Sequence, residues 1–322
     1  MPIDRSRTLS ERFAPRYLLR ARGERNGSHE PSSLLARSTY LRERNREPRV
    51  YGRVGDLEVR MASGVKDVRL AQRMRFDVFY REMSAKPSFL AELRRRDEDP
   101  YDAICDHLLV VDRAAAQKGQ FSRRQLVVGT YRLLRQDVAR KHFGFYTQGE
   151  YDIAPMLARH ATLRFLELGR SCVLKSYRNR RTLELLWHGL WTYVREQRID
   201  VMIGCASFEG TDPEAHAVAL SYLHQHHRAP NEWRCAAHPH LRERMDLLPS
   251  DAINAKAALK VLPPLIKGYL RLGAYVGDGA VIDHQFGTTD VLIILPVKSI
   301  DPRYFEYFGA PDEVKSRIAQ DG

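Results

Sequence analysis

The stretch from Thr162 to Thr182, TLRFLELGRSCVLKSYRNRRT, limits the fold more than any other part of the chain. Its first half alternates as a strand. Phe165, Glu167, Gly169 and Ser171 are expected on one face and Leu166, Leu168, Arg170 and Cys172 on the other, because strand side chains alternate with period 2. Its second half is a basic loop that opens a helix predicted from Leu183 to Arg198, with apolar residues at Leu186, Leu190, Tyr193 and Val194. A strand at Val201 to Ala206 follows. Strand, loop, helix and strand in this order imply a sheet covered by helices.

The flanking sequence extends that pattern. Upstream, spacing predicts a strand at Leu57 to Met61, an amphipathic helix from Val65 to Met83, and a hairpin of strands at His107 to Val111 and Gln125 to Leu134 around a turn at Lys118 and Gly119. The segment Ala85 to Tyr101 reads as charged and broken by prolines, and Ile153 to His160 as helical. Downstream come a helix from Pro213 to His226, a histidine-rich connection to Pro249, a helix from Leu265 to Leu272, and strands at Ala274 to Val276 and Val291 to Leu295. This is an α+β chain around one mixed sheet, spanning residues 51–310, with an arm at 1–50 and a tail at 311–322.

Charge points to acidic partners. Of the formal net charge of +12, half comes from residues 1–50, where twelve Arg and no Lys stand against six acids. The Gly, Ser and Pro content of residues 26–38 predicts a largely disordered arm, with Leu9, Phe13, Leu18 and Leu19 as interfacial residues for an anionic membrane. No window approaches the roughly 18 apolar residues of a membrane span, so membrane contact is expected to be peripheral. Four widely spaced cysteines and no N-terminal apolar stretch favour a reducing cytoplasm over a disulfide framework.

Glu167 is the residue that asks for chemistry. A carboxylate in an apolar strand is costly unless paired, so it is either bound to a neighbouring cation or functional. Arg170 joins it at one site only if a bulge near Gly169 turns the strand. The loop Lys175, Tyr177, Arg178, Asn179, Arg180 and Arg181 ends at a helix whose first-turn N–H groups need partners, with Asn179 or Thr182 as cap. That arrangement suits a phosphate as well as a solvated face. Neither GxGxxG nor GxxxxGK[ST] occurs, which argues against a Rossmann site and a P-loop. The acids Asp97, Glu98, Asp99 and Asp102 lie in a turn-rich segment, Arg132 lies within a strand, and Asp283 stands near a turn as either turn chemistry or substrate ligand. The histidines His216, His224, His226, His227, His238 and His240 with Cys235 match no zinc spacing, so no metal is expected. Cys172 reads as inert core, and no G-x-S-x-G elbow is present.

With these residues in place, the chain resembles the GNAT acyltransferases, and more closely the bacterial ornithine N-acyltransferases that begin ornithine lipid synthesis. The matching stretches are RFDVFYREM, DEDPYDAICDHLLVVD, GTYRLL, LELGRSCV, YRNRRTLELLWHGL and LPPLIKGYLRLGAYVGDGAVIDHQFGTTDVLIILP. They cover roughly residues 55–310 and leave the arm unassigned. The resemblance implies a GNAT fold with a splayed strand pair and an enlarged C-terminal half. It also implies transfer of a 3-hydroxyacyl group from acyl carrier protein to the α-amine of L-ornithine, giving a lyso-ornithine lipid, with no bound cofactor and no nucleic acid partner. By similarity to acyl-homoserine lactone synthases, the working residues are Arg75 and Phe79, Asp99 and Asp102, Arg132, and Glu167 with Arg170; Asp283, outside that set, is a further substrate-binding candidate. Glu167 is then the base, Asp99 or Asp102 meets the ornithine side-chain ammonium, and Arg132 or Arg170 clamps the carboxylate. Val173, Arg178, Asn179, Arg180, Arg181 and Thr182 face the donor's phosphopantetheine, the basic loop standing where GNAT enzymes carry a glycine-rich one. The helix near Leu265, Ile266, Tyr269 and Leu270 is expected to line an acyl tunnel or to be ordinary core. The alternatives are an acyl-homoserine lactone synthase and a non-catalytic basic protein that binds nucleic acid or membrane.

Overall fold

The computed structural model describes residues 48–83, 85–114, 127–301 and 303–304. The arm's Leu9, Phe13, Leu18 and Leu19, the turn at Lys118 and Gly119, and the tail 311–322 lie outside the described residues.

The strands are β1 (Val50–Val54), β2 (Leu57–Met61), β3 (Asp106–Asp112), β4 (Val127–Arg135), β5 (Tyr151–Asp152), β6 (Phe165–Val173), β7 (Val201–Glu209), β8 (Ala236–Ala237), β9 (Arg242–Glu243), β10 (Tyr275–Val276), β11 (Ala280–Asp283) and β12 (Thr288–Pro296). The main sheet runs β1-β2-β3-β4-β6-β7-β12-β11-β9, with β10 also on β12 and a separate β5-β8 pair. Neighbours are antiparallel except β6 and β7, which are parallel and therefore need a crossover. That crossover is the basic loop and its helix.

Each face of the sheet is covered for a sequence reason. Helix α1 (Val65–Phe76) turns Val68, Ala71 and Met74 onto Leu109, Val111, Val127 and Cys172. Helix α2 (Phe89–Arg94) is capped by Ser88 and buries none of its residues, so the segment read as broken contains a short exposed helix. Helix α3 (Arg180–Glu196) buries Leu185, Leu186, Leu190, Tyr193 and Val194 against Val59, Leu108, Tyr131, Leu166 and Leu168 on the opposite face. It starts three residues earlier than apolar spacing predicts, because Asn179 Oδ1 takes the Thr182 N–H at 3.1 Å and caps it. The helix read from Val65 to Met83 changes character at Phe76, and Asp77–Glu82 form a π-helical turn. That turn brings Phe79 and Tyr80 to Phe286, with ring centroids 5.6 and 5.9 Å apart. Ile266 and Tyr269 pack in the main core with Leu265 and Leu270 beside them.

The parallel pair comes apart. β6 and β7 pair only at Phe165–Val201, Leu166–Met202 and Glu167–Ile203, although the strands continue to Val173 and Glu209. A side chain at Gly204 would overlap the Leu168 carbonyl oxygen at the point of divergence. Beyond Glu167 the β7-facing edge of β6 is free of strand pairing, and β7 pairs with β12 along its whole length.

Candidate active site at the splayed strands

Arg170 resolves the geometry of the opening stretch. Between Thr130–Cys172 and Arg132–Gly169 the β4–β6 register slips, so Arg170 and Ser171 together oppose Tyr131. Arg170 takes up the extra residue in the left-handed region at φ 50°. A non-glycine residue there carries strain of roughly 1–3 kcal/mol. The expected facing is corrected accordingly. Cys172 packs against the α1 face, Val173 belongs to the α3 face, and Arg170 joins Glu167 on the α1 face. The bulge is what a regular strand lacked.

On that face three arginines meet three aspartates. Arg75, fully buried, bonds Asp97 at 2.8 Å and Asp102 at 2.8 and 2.9 Å. Arg132 bonds both oxygens of Asp99 at 2.7 and 2.6 Å, and Arg170 reaches Asp99 at 3.3 Å and Asp97 at 3.4 Å. Burial pushes the Asp99 and Asp102 carboxyls up, but Arg132 holds Asp99 below the usual range, and Arg75 with Arg132 holds Asp102 far below it. Asp99 also caps the turn Pro100–Ala103. The Arg170 guanidinium lies 4.4 Å from the Phe286 ring centroid and 5.3 Å from that of Tyr146, and Tyr80 donates to Asp97 at 3.2 Å. Phe79 reaches this group through Phe286.

Glu167 is 5% exposed. Its two oxygens accept the N–H groups of Tyr146 at 2.8 Å and Thr147 at 2.7 Å. Burial raises its pKa, and those N–H groups and the Arg132 charge oppose the rise. It therefore holds the turn Tyr146–Gly149 in place while standing beside the open edge of β6.

A second acidic group adjoins that turn. Carboxylate oxygens of Glu150, Asp283 and Asp290 all lie within 4.8 Å of one another. Sequence reasoning named Asp283 and missed Glu150 and Asp290. Asp290 carried the same signal as Glu167, a carboxylate in an apolar strand. Burial first, then the Asp290 charge, raises Glu150 to about 8; burial raises Asp290 to about 6 against the Ser207 and Thr288 hydroxyls, with Asp283 adding to the rise. The Cys205 thiol donates to Glu150 at 3.0 Å.

The donor-side residues divide. Thr182 is buried and Asn179 is committed to capping. Arg178 spans the Val173 carbonyl at 2.9 Å and the Glu82 carboxylate, Arg180 pairs with Glu184 at 2.7 Å, and Arg181 is exposed. Burial pushes the Cys172 thiol up to about 12, which keeps it protonated and poor as a nucleophile. The histidine-rich connection contributes nothing to a metal-like group among the described residues; His216 and His238 bond the Glu209 and Gln148 carbonyls. Surface clefts of about 380 and 550 Å³ are lined by Arg135 and Arg140, and by Arg234 and Arg242. Neither includes Glu167 or Arg170, so the chemistry of the site rather than cleft size defines it.

A family profile described as an acetyltransferase (GNAT) domain matches residues 74–188, which hold the end of α1, the arginine–aspartate network, Glu167 and the first half of α3. The chain is 52% identical over 264 residues to the L-ornithine N(alpha)-acyltransferase of Agrobacterium fabrum, covering 82% of this chain and 89% of that protein. It is 52% identical over 261 residues to the L-ornithine N(alpha)-acyltransferase of Brucella abortus, covering 81% and 92%. Among solved structures, FeeM, an N-acyl amino acid synthase from uncultured soil microbes, is similar with a TM-score of 0.42 and 11% identity, covering 75% of this chain and 92% of that one.

Proposed function

The chain belongs to the L-ornithine N(alpha)-acyltransferase family and is an N-acyltransferase of the GNAT fold, and from that premise we propose that it transfers a 3-hydroxyacyl group from acyl carrier protein to the α-amine of L-ornithine. The observation that carries this reading is the free edge of β6 beside Glu167, with Arg170 bulged onto the same face. A thioester laid along that edge places its carbonyl near the backbone N–H groups of Ser171 to Val173, which polarise it. A neutral amine held at about 3–3.5 Å attacks without a covalent enzyme intermediate. The amine nitrogen bonds to the carbonyl carbon, the C–S bond breaks with its electron pair going to sulfur, and the nitrogen's proton passes through Glu167 to the departing thiolate.

An amino-acid amine is mostly protonated at neutral pH, so a base has work before attack as well. Glu167 suits that task because burial raises its pKa toward the working range. Arg170, the most outward of the three arginines, takes the acceptor carboxylate, with Arg75, Asp97, Asp99, Asp102 and Arg132 fixing it in place. On the donor side, the first turn of α3 with Arg180 and Arg181 faces the phosphopantetheine phosphate and the acidic carrier, while Arg178 ties the loop to Val173. The donor is tested by supplying ornithine with a 3-hydroxyacyl group on carrier protein or on coenzyme A. A kcat/KM at least tenfold higher for the carrier, falling as salt rises, supports the reading; equal use of both removes the carrier.

No helix among the described residues is long and apolar enough to cross a membrane. Peripheral contact at the inner membrane, by a protein of the cytoplasm, is supported by the exposed Phe89, Leu90 and Leu93 of α2 beside Arg94 and Arg95. Serine at those three positions, combined with deletion of residues 1–50, is expected to abolish co-sedimentation with anionic vesicles. Unchanged co-sedimentation removes the membrane contact.

A further inference from the structure

We propose that Glu150, Asp283 and Asp290 form a pocket for the second ammonium group of the acceptor, which makes the enzyme selective for a diamino acid. This rests on the reading that the acceptor is ornithine.

The three carboxylates converge within 4.8 Å, and among the described residues none of them has an ion pair. Asp290 is 6% exposed, yet its Oδ1 has no hydrogen-bond partner. The Ser207 and Thr288 hydroxyls face this carboxyl and lower its pKa, so the shortfall lies at Oδ1. A buried polar atom without a partner costs roughly 1–3 kcal/mol, so Asp290 Oδ1 at an acidic pocket marks a place where a donor group is missing. Asp283 Oδ1 accepts the Gln285 and Phe286 N–H groups at 2.8 and 2.9 Å, and Glu150 accepts one thiol, so both keep lone pairs for a ligand. An ammonium group has three N–H donors and one positive charge, which matches three carboxylates short of donors and cations. A hard divalent metal has the same taste for carboxylates, but it asks for six or more oxygens in its shell.

Position gives the pocket its role. Glu150 directly follows the turn Tyr146–Gly149, whose N–H groups Glu167 holds, and Asp283 lies three residues before Phe286, on which Arg170 stacks. One small molecule therefore meets Glu167 at its reacting amine, Arg170 at its carboxylate and the acidic pocket at its other end. Asp99 and Asp102, expected from sequence to hold the side-chain ammonium, are already bonded to Arg132 and Arg75. The pocket takes over that duty. The acids that face it, Glu167 included, and the more distant Arg170 are the charges an entering ammonium meets.

The test is calorimetric binding of L-ornithine and of L-norvaline, which has the same carbon chain without the terminal amine, to the full-length protein and its Glu150→Gln and Asp290→Asn variants. Wild type is expected to bind ornithine at least ~30-fold more tightly than norvaline. In both variants that ratio is expected to collapse toward one. Melting temperatures of the unliganded variants at or above wild type show that they fold, since each change removes repulsion. Equal binding of the two amino acids by wild type, or a ratio that survives both substitutions, overturns the pocket. So does a melting temperature that rises with MgCl2 or CaCl2 and not with ornithine, because the occupant is then a metal. The parent reading is judged separately by product. Acylation of ornithine without preference over norvaline removes the pocket and leaves the activity; preferential binding with no acyl product does the reverse.

Discussion

Asp97, Asp99 and Asp102 lie on the same face of the sheet as Glu150, Asp283 and Asp290, and the two sets are treated in opposite ways. The first set meets Arg75, Arg132 and Arg170, charge for charge. The second has no ion pair among the described residues, and burial leaves two of its members with raised pKa values. A neutralised network is a scaffold, since its charges are spent on holding side chains still. An unneutralised one stores a demand for a cation. Glu167 stands between them, and its hold on the turn at Tyr146 and Thr147 positions both.

The contrast breaks most visibly if the first set loses a cation. Arg75→Met leaves Asp97 and Asp102 buried without their main partner and is expected to cost about 3–5 kcal/mol in urea unfolding. A cost under ~1 kcal/mol would mean the network is not the scaffold it resembles. Next, Glu167→Gln is expected to lower kcat by roughly 10²- to 10⁴-fold and to remove the acid limb of the pH–rate profile. If turnover falls while that limb keeps its shape, Glu167 only holds the turn.

In the second set, the sign reverses. Glu150 is raised to about 8 in the fold from an ordinary 4.5, facing Asp283, Asp290, Cys205 and Glu167. Folded protein therefore binds more protons than unfolded between those values. Its contribution to stability is fully present below about pH 4.5 and is lost as pH rises through about 8. Glu150→Gln is thus expected to stabilise by up to roughly 4–5 kcal/mol at pH 8.5 and to have no effect near pH 4. A uniform loss of stability across that range would show Glu150 to be a structural partner. The smallest effect is on the donor side. Glutamate at Arg180 and Arg181 is expected to reduce kcat/KM for the carrier-bound donor about tenfold at low salt and little at high salt.

Much of the fold was legible because its periodicities are strong. The β3–β4 hairpin, β2 and the strand–loop–helix–strand unit follow from alternation and 3.6-residue spacing. The π-helical turn and the short strands β9 and β11 were not, since each depends on contacts distant in sequence, and helix α2, six residues long with none buried, offers no apolar periodicity to read. Glu167 was legible as a costly carboxylate in an apolar strand, and Asp290 was legible by the same rule but went unread. Arg170 was misfaced because one residue in a left-handed conformation inverts everything after it, and a single-residue bulge has no signature in alternation. The neutralisation of Asp99 and Asp102 was invisible for a similar reason: their arginines, Arg132 and Arg75, lie 33 and 27 residues away in sequence.

The most direct test of the central claim is to incubate the purified protein with 3-hydroxyacyl carrier protein and L-ornithine and to locate the new amide by fragmentation mass spectrometry. The account predicts one product, acylated on the α-nitrogen with the side-chain amine free. Acylation on the side-chain nitrogen, or no amide at all, would contradict it.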